Sequence, residues 1–412
     1  MRIRRAWQGW AAFVSLVFAA SASAQTAPPI PGTTTTVETL TLADTLTRIV
    51  GPVGSTHVGD ALGLASELGI ATTPFGAASG GFLIKLDQST GLQVRAATTF
   101  GPAFAERALT SGEGKLSLGV NFMSSTYDRL DAASFDSNLQ VRSSTAAASA
   151  ASRSGTASIS LTSKTTVVWA RMGVSDNFDV GASIPLVTVK LTGTSFLRSG
   201  VGDILFAQGT ASSGGLGDVQ GIAKYRFFSF GSGQPDPGGL AAMVTLTMPT
   251  GDRDNFRGLG VARTIVSLIA SSGRGRVRPH ANVGFGVWSK GITVASDTAP
   301  NTTVTARNQF DYAGGIEFEA APKVTLLLDL IGGGVLGGGR VGFADVPAET
   351  SAITASQSLV ALPQGIRKLD LAPGLKANLK GKLLVSLNAL ISLHDSGLHA
   401  RITPVAGIDL TF

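Results

Sequence analysis

Past its first two dozen residues this chain alternates. Apolar side chains recur at every second position, and small or polar residues fill the places between. "KLSLGVNF" puts Leu116, Leu118, Val120 and Phe122 on one face, and "FDVGASIPL" does the same with Phe178, Val180, Ala182, Ile184 and Leu186. "LAAMVTLTM" sets Leu240, Ala242, Val244, Leu246 and Met248 against Thr245 and Thr247. A period of two marks a strand whose two faces meet different surroundings. Two segments are less regular. In "VARTIVSLIA" neither phase is wholly apolar, and in "TTVVWARMG" Arg171 shares a phase with Trp169.

The way the apolar residues are spread says what those surroundings are. Mean hydropathy is +0.27. Yet the best apolar run, "VTLLLDLIGGGVLGGG", is broken by Asp329 and by glycines, so it does not read as a transmembrane helix. Apolar content delivered by alternation suits a transmembrane β-barrel, with lipid on one face and a lumen on the other. A soluble β-sandwich or a secreted β-solenoid alternates as well, but with charge on its outward face. Here charged residues are 15% of the chain, and the polar positions are mostly Gly, Ser, Thr and Asn. The expected fold class is therefore all-β: a transmembrane antiparallel β-barrel of about twelve strands, with about fourteen as the alternative, and an N-terminal plug segment.

Three parts are expected along the chain: a signal peptide over residues 1–24, a leader and plug-like segment over 25–114, and the outer-membrane barrel over 115–412. The start combines Arg2, Arg4 and Arg5 with an apolar run and "ASA" before Gln25, the pattern of a secretory signal cleaved after Ala24. "TAPPIPGTTTT" reads as an unstructured leader. "STHVGDALGLASELGI" reads as a helix with Val58, Ala61, Leu62, Ala65 and Leu68 on one stripe, and a hairpin is expected around Asp87–Gly91. This region is either a plug folded into the lumen or a periplasmic extension.

Short turns ("VSDN", "SSGRGR", "AAPK", "KGK") separate longer connections at Asp128 to Thr156, Thr192 to Gly215, Thr293 to Arg307 and Gly332 to Gly365. Outer-membrane barrels have short periplasmic turns and long external loops. On that threading both barrel ends are periplasmic, the strand count is even, and Phe412 lies at the periplasmic rim. Trp169, Phe178, Tyr225, Phe227 and Phe318 are expected in a periplasmic aromatic girdle, and Phe122, Tyr127, Phe310 and Tyr312 in an external one. The candidate plug contacts are Phe104, Glu106 and Arg107. The candidate lumen residues, by phase, are Lys224, Arg226, Arg278, His280, Asp311, Glu317 and Lys376. Glu106 and Arg107 are expected to pair with lumen charges such as Arg278 or Glu317.

"FGPAFAERALTSGEGKLSLGVNF", "GVSDNFDVGASIP" and "GLGDVQGIAKYRFF" followed by "LTMPTGD" resemble the outer-membrane family named for the meta-pathway of phenol degradation, a relative of the long-chain fatty-acid transporters. The resemblance covers most of the chain from about Phe100. It implies passive uptake of hydrophobic or aromatic small molecules; no ligand-binding residue of the fatty-acid transporters has a matching position. The terminal Phe412 resembles the C-terminal sorting signal of outer-membrane barrels and is the candidate assembly signal, read by the barrel-assembly machinery.

Other chemistries find little support. There is no cysteine, which excludes a thiolate metal site or a cysteine nucleophile. The four histidines are His57, His280, His394 and His399. His280 falls on a lumen phase, and a lipase acting on bilayer lipid would want its serine–histidine pair on the outer wall. His394 and His399 flank the turn "HDSGLH", but two ligands do not make a metal site. The net charge of +6 includes the three arginines of the signal, and no dense basic run points to nucleic acid. No enzyme activity and no cofactor are implied. The expected partners are outer-membrane lipid and a small hydrophobic solute, and the expected location is the outer membrane of a Gram-negative-type bacterium. The expected function is passive uptake through a channel or transporter. The alternative is a non-conducting structural or adhesive barrel whose external loops bind partners.

Overall fold

The computed structural model describes residues 40–51, 56–76, 84–86, 93–95, 97–131, 133–137, 139–143, 153–199, 202–231, 238–273, 275–296, 302–346, 356–380 and 382–412. The signal, the Pro/Thr leader and the tip of the expected hairpin lie outside these residues; its flanks, Ile84–Leu86 and Gln93–Arg95, pair antiparallel. No described helix is long and apolar enough to cross a membrane.

Twelve antiparallel strands close on themselves. In chain order they are β1 (Leu116–Tyr127), β2 (Arg153–Ser175), β3 (Phe178–Ser199), β4 (Gln220–Ser229), β5 (Gly238–Thr247), β6 (Arg263–Ser272), β7 (Val277–Trp288), β8 (Thr303–Ala321), β9 (Val324–Val346), β10 (Ser356–Lys380), β11 (Leu383–Ser392) and β12 (Ile402–Thr411). Each pairs with its neighbour in sequence, and β12 pairs with β1, Ile408 opposite Val120. Closure leaves no edge for lipid to solvate, which is the condition for a sheet to span a bilayer. At the seam Phe412 N–H donates to Leu116 O at 2.8 Å, and Lys382 Nζ stands 5.9 Å from the centre of the exposed Phe412 ring.

The alternation is realised as two surfaces. Leu246, Leu268, Val283, Leu387 and Ile408 point outward and are exposed, while their neighbours point inward and are buried. A continuous apolar exterior on a closed barrel is a lipid-facing belt, and the architecture is that of an outer-membrane protein. The irregular β6 resolves into Val266 and Leu268 outward, with Arg263, Ile265, Ser267 and Ile269 inward. Its inward isoleucines are not a phase error: Ile269 packs on Ala108, which lies inside the barrel.

Three expectations are corrected. Trp169 and Tyr127 do not belong to the girdles. Both are buried and face inward, Trp169 over Gly119, whose missing side chain makes the room, and Tyr127 toward Ser163 Oγ at 3.4 Å. Aromatic identity suggested a girdle, but phase decides the face. The connections read as long loops are largely strand as well. β2 and β3 run far past the belt and carry an extra strand, Gly202–Leu216, while β9 and β10 extend together to the Val346–Ser356 pair. Ile292–Ala295 also pairs with the start of β8. Ser/Thr/Gly composition suggested loop, but these residues serve equally well on a hydrated strand face.

A helix missed in the sequence, α1 (Leu42–Val50), precedes the expected one, α2 (Thr56–Ala71). Thr41 and Asp44 close a capping box at the start of α1, and Leu42, Leu46, Ile49 and Val50 are buried. α2 is buried on nearly all sides, because the barrel interior surrounds it. The two helices pack in the external half. Ile49 lies against Gly193 and Gly209, and Leu68 against Gly339, all far from the short turns.

Candidate functional site

Residues 97–112 carry no helix or strand, yet they are almost wholly buried. Such a segment must find partners for its backbone outside itself. It finds them on the inner wall, always a few residues from a short turn. Phe100 N–H donates to Thr325 Oγ1 (3.2 Å), Gly101 N–H to Glu317 Oε2 (3.0 Å), Ala108 N–H to Ser271 Oγ (2.9 Å) and Ser111 N–H to both Asp179 oxygens (3.0 Å each). Asn282 pairs with Glu106 as one amide pairs with another: it accepts from the backbone N–H at 2.7 Å and donates to the carbonyl at 2.8 Å. This strap crosses the half of the barrel that carries the short turns, the end expected to be periplasmic.

Two carboxylates organise it. Asp329 Oδ2 accepts the N–H groups of Ala103, Phe104 and Ala105 at 3.1, 3.1 and 3.4 Å, and Oδ1 lies 2.8 Å from His280 Nε2. Glu106 receives both ends of the Arg171 guanidinium at 3.0 and 2.9 Å and Lys224 Nζ at 3.4 Å. Burial works against the Glu106 charge, but Arg171 and Lys224 outweigh it and hold the carboxyl down at about 2. Lys224 also donates to Arg107 O (3.2 Å) and Leu109 O (2.8 Å), and Lys376 donates to Pro102 O (2.8 Å). Gly101 adopts φ +83°, and a side chain there would press on the Arg107 guanidinium.

Of the residues singled out by phase, Glu317, Lys224 and Lys376 meet the strap directly, and His280 reaches it through Asp329. Arg107 lies 3.8 Å from Glu317, the expected pair. Glu106 does not pair with Arg278 or Glu317; its partners are Lys224, one of the expected lumen residues, and Arg171, a residue set aside because it shared a phase with tryptophan. Arg278 is buried in the interior. Arg226 bonds Asn177 Oδ1 at 3.1 Å, at the β2–β3 turn rather than on the strap. Asp311 accepts from Gln309 Nε2 at 2.8 Å, above the strap. Arg171, Asp179 and Asp329 were missed. Each sits on the inward phase near a short turn, and that signal was available in "WARMG", "NFDVG" and "LLLDL".

Between the strap and the helices lies a cavity of about 270 Å³. Phe104 and Glu106 form its floor and Ala71–Phe75 its roof. The wall is mixed: Met243, Ile265, Ile269, Ile331 and Ile366 are interspersed with Arg263, Gln309, Asp311, Lys368 and Asp370, Arg263 on the same strand as Ile265 and Lys368 on the same strand as Ile366. Lys368 Nζ reaches up to Thr72 Oγ1 (2.6 Å) and ties that wall to the end of α2. At the external turn His399 Nε2 is 3.4 Å from Asp395, and no group of three metal-ligating residues exists among the described residues.

No protein-family model matches the chain, so the resemblance drawn from its motifs has none behind it, and no curated protein matches either. Solved structures do. An outer-membrane channel from Pseudomonas putida F1 aligns with TM-score 0.44 and 12% identity, over 74% of this chain and 98% of the channel. The toluene transporter TbuX of Ralstonia pickettii aligns at 0.32 and 13%, over 73% and 90%. A FadL homologue from Pseudomonas aeruginosa aligns at 0.31 and 12%, over 84% and 97%. These likenesses are loose, and the barrel is established by its own strand pairing.

Proposed function

We propose that this barrel is a channel for passive uptake of small hydrophobic or aromatic solutes, gated by the two helices and the strap inside it. The observation that carries the reading is the cavity inside the closed barrel wall, lined by Phe104 of the strap and by Phe75 after the second helix. A purely structural barrel has no use for such a chamber, whereas a diffusive route has to pause solute between two constrictions. Ligand chambers of this kind are mostly apolar with a few placed polar groups, and this lining fits. The strap and helices hinder free ion flow, so selectivity and low conductance go together.

The test is flux into liposomes carrying the full-length protein. Small aromatic solutes should enter faster than sugars of similar size, with little ion conductance. Deleting Thr26 to Thr99 should raise conductance and loosen selectivity while the barrel keeps its heat-modifiable gel mobility. Aromatic flux equal to that of protein-free liposomes would overturn the reading.

A further inference from the structure

The outer surface of β1–β3 changes character along one line. Phe122, Thr166 and Leu186 sit side by side on β1, β2 and β3 in one row, with Leu216 of the extra strand beside Leu186. Below this row the outward residues of β3 are Phe178, Val180, Ala182 and Ile184. From Phe178 to Leu186 the strand rises about 20 Å along the membrane normal, allowing for tilt, close to the belt height of such barrels. The row is therefore the upper edge of the lipid belt.

Immediately above it the outward positions hold polar side chains or glycine. The next row is Ser124, Lys164, Thr188 and Gly214, and the one after is Thr126, Thr162, Lys190 and Ser212. Farther up, Ser160, Thr192 and Thr210 continue the series, with Thr210 Oγ1 3.5 Å from Thr192 Oγ1. The cross-strand pairs put Lys164 opposite Thr188 and Lys190 opposite Thr162, so the two lysines are diagonal neighbours on adjacent strands. Diagonal Cβ atoms lie about 7 Å apart, near enough for two flexible ammonium groups to converge on one anion. Both lysines are exposed, and neither has an ion-pair partner among the described residues. Other outward cations differ. Arg401 is occupied by Asp128 at 2.9 Å, and Arg307 stands alone on β8, six strands around the barrel.

We propose that this patch is a binding site for the phosphorylated glycolipid headgroup of the outer leaflet, with Lys164 and Lys190 clamping a sugar phosphate and the Ser/Thr rows meeting the sugar hydroxyls. Its height decides the source of the phosphate. The two lysine rows lie about 5 and about 10 Å above the belt edge, the depth of the headgroup layer. A ligand anchored in the adjacent leaflet arrives there already oriented, and its chains lie along Phe122 and Leu186. A free anion gains none of this. The extension of β2 and β3 thereby has a role over the rows just above the belt: it carries a Ser/Thr/Lys surface through the headgroup layer, below the exposed Ile204, Leu205 and Phe206 near its tip.

The experiment uses full-length protein in detergent micelles, with purified bis-phosphorylated glycolipid, its dephosphorylated form and inorganic phosphate as three probes. Native mass spectrometry reads occupancy, and heat-modifiable gel mobility reports folding. The wild type should bind the phosphorylated glycolipid. Lys164→Ala/Lys190→Ala should lose about tenfold or more in affinity, while Lys164→Arg/Lys190→Arg should retain it. Arg307→Ala should bind like the wild type. Undiminished binding in the double-alanine variant, equal binding of the dephosphorylated lipid, equal protection by inorganic phosphate, or an equal loss in Arg307→Ala would each overturn the proposal.

Discussion

The two halves of the barrel interior are filled by different physics. In the periplasmic half a strap without secondary structure is held by directional bonds to charged and hydroxyl side chains. In the external half two regular helices satisfy most of their own backbones and dock mainly through apolar contact with residues such as Val189, Leu191, Val335 and Ile366, with Arg253–Glu67 at 2.8 Å and Lys368–Thr72 at 2.6 Å as polar ties. The difference follows from backbone accounting. The interior of a helix satisfies its own backbone and brings hydrophobic surface to the wall, whereas an irregular strand brings a whole run of unpaired N–H groups that the wall has to meet. Hydrophobic contact tolerates sliding and repacking. A buried ion pair is satisfied in one geometry and costly in all others. The strap is thus built to hold one position, and the helices are the half whose packing can shift. Substitutions that loosen one half and leave the other intact test this contrast.

The largest effect is expected at Arg171. Arg171→Met leaves Glu106 buried with Lys224 as its remaining cation. Removing one partner of such a pair costs about 3–5 kcal/mol. Hydrogen exchange of residues 97–112 should accelerate strongly and ion conductance should rise, with α1 and α2 unchanged. Adding Glu106→Gln should recover much of the protection, because the uncompensated charge is gone. Loss of helix protection alongside the strap would mean that the two halves form one unit.

The converse test is Leu62→Ala. Leu62 is fully buried at the centre of the helical cluster, and truncation there costs about 2–4 kcal/mol by lost contact and cavity formation. Exchange in α2 should rise while the strap keeps its protection. A smaller step is expected from Asp329→Asn. The amide still accepts a hydrogen bond, but three N–H donors lose their charged acceptor, worth about 1–3 kcal/mol. Opening should be confined to residues around Ala103–Ala105, and the His280 ring should change its NMR tautomer signature, since its Nε2 partner is no longer anionic.

The same contrast explains what the sequence disclosed. Alternation is a direct imprint of lipid on one face, so strand number and outward residues were legible from Leu116, Phe178 or Leu387 alone. The cavity was not, because its roof and floor come from segments that only meet inside the barrel. On the inner face the phase was legible but the partner was not. Arg171 and Glu106 are far apart in the chain, and nothing local names one to the other. Arg171, Asp179 and Asp329 interrupt greasy strands near short turns, and such interruptions are where an interior segment is gripped. α1 stayed hidden for another reason: it is short, and its Thr/Asp cap follows a threonine run that masked it. The extended β2–β3 hairpin read as loop because its outward face is Ser, Thr and Lys, while its apolar residues, Ile159, Leu161, Val189 and Leu191, turn inward onto the helices.

The smallest predicted effect separates the halves by pH. Glu106 titrates at about 2, below the usual carboxylate range. Its charge therefore supports the strap at all pH values above the unfolded pKa, about 4.5, and the support fades only as pH falls through the folded value. Glu67 on α2 behaves oppositely. Burial pushes it up to about 7, although Arg253 at 2.8 Å works against the rise and Asp254 and Asp60 add to it. A carboxyl with a raised folded pKa binds its proton more tightly when docked than when exposed. Docking of α2 is thus favoured on the acid side and weakens as pH climbs from about 4.5 to about 7. Between about pH 6 and about pH 8 the cost is about 1.4 kcal/mol, near a tenfold change in opening. Exchange in α2, corrected for the intrinsic base dependence, should accelerate about tenfold over that interval, the strap should not respond, and Glu67→Gln should flatten the α2 response. A strap that loosened in step with α2 above neutrality would show that Arg253 and Arg171 report on one shared equilibrium, and the division between a fixed half and a movable half would fail.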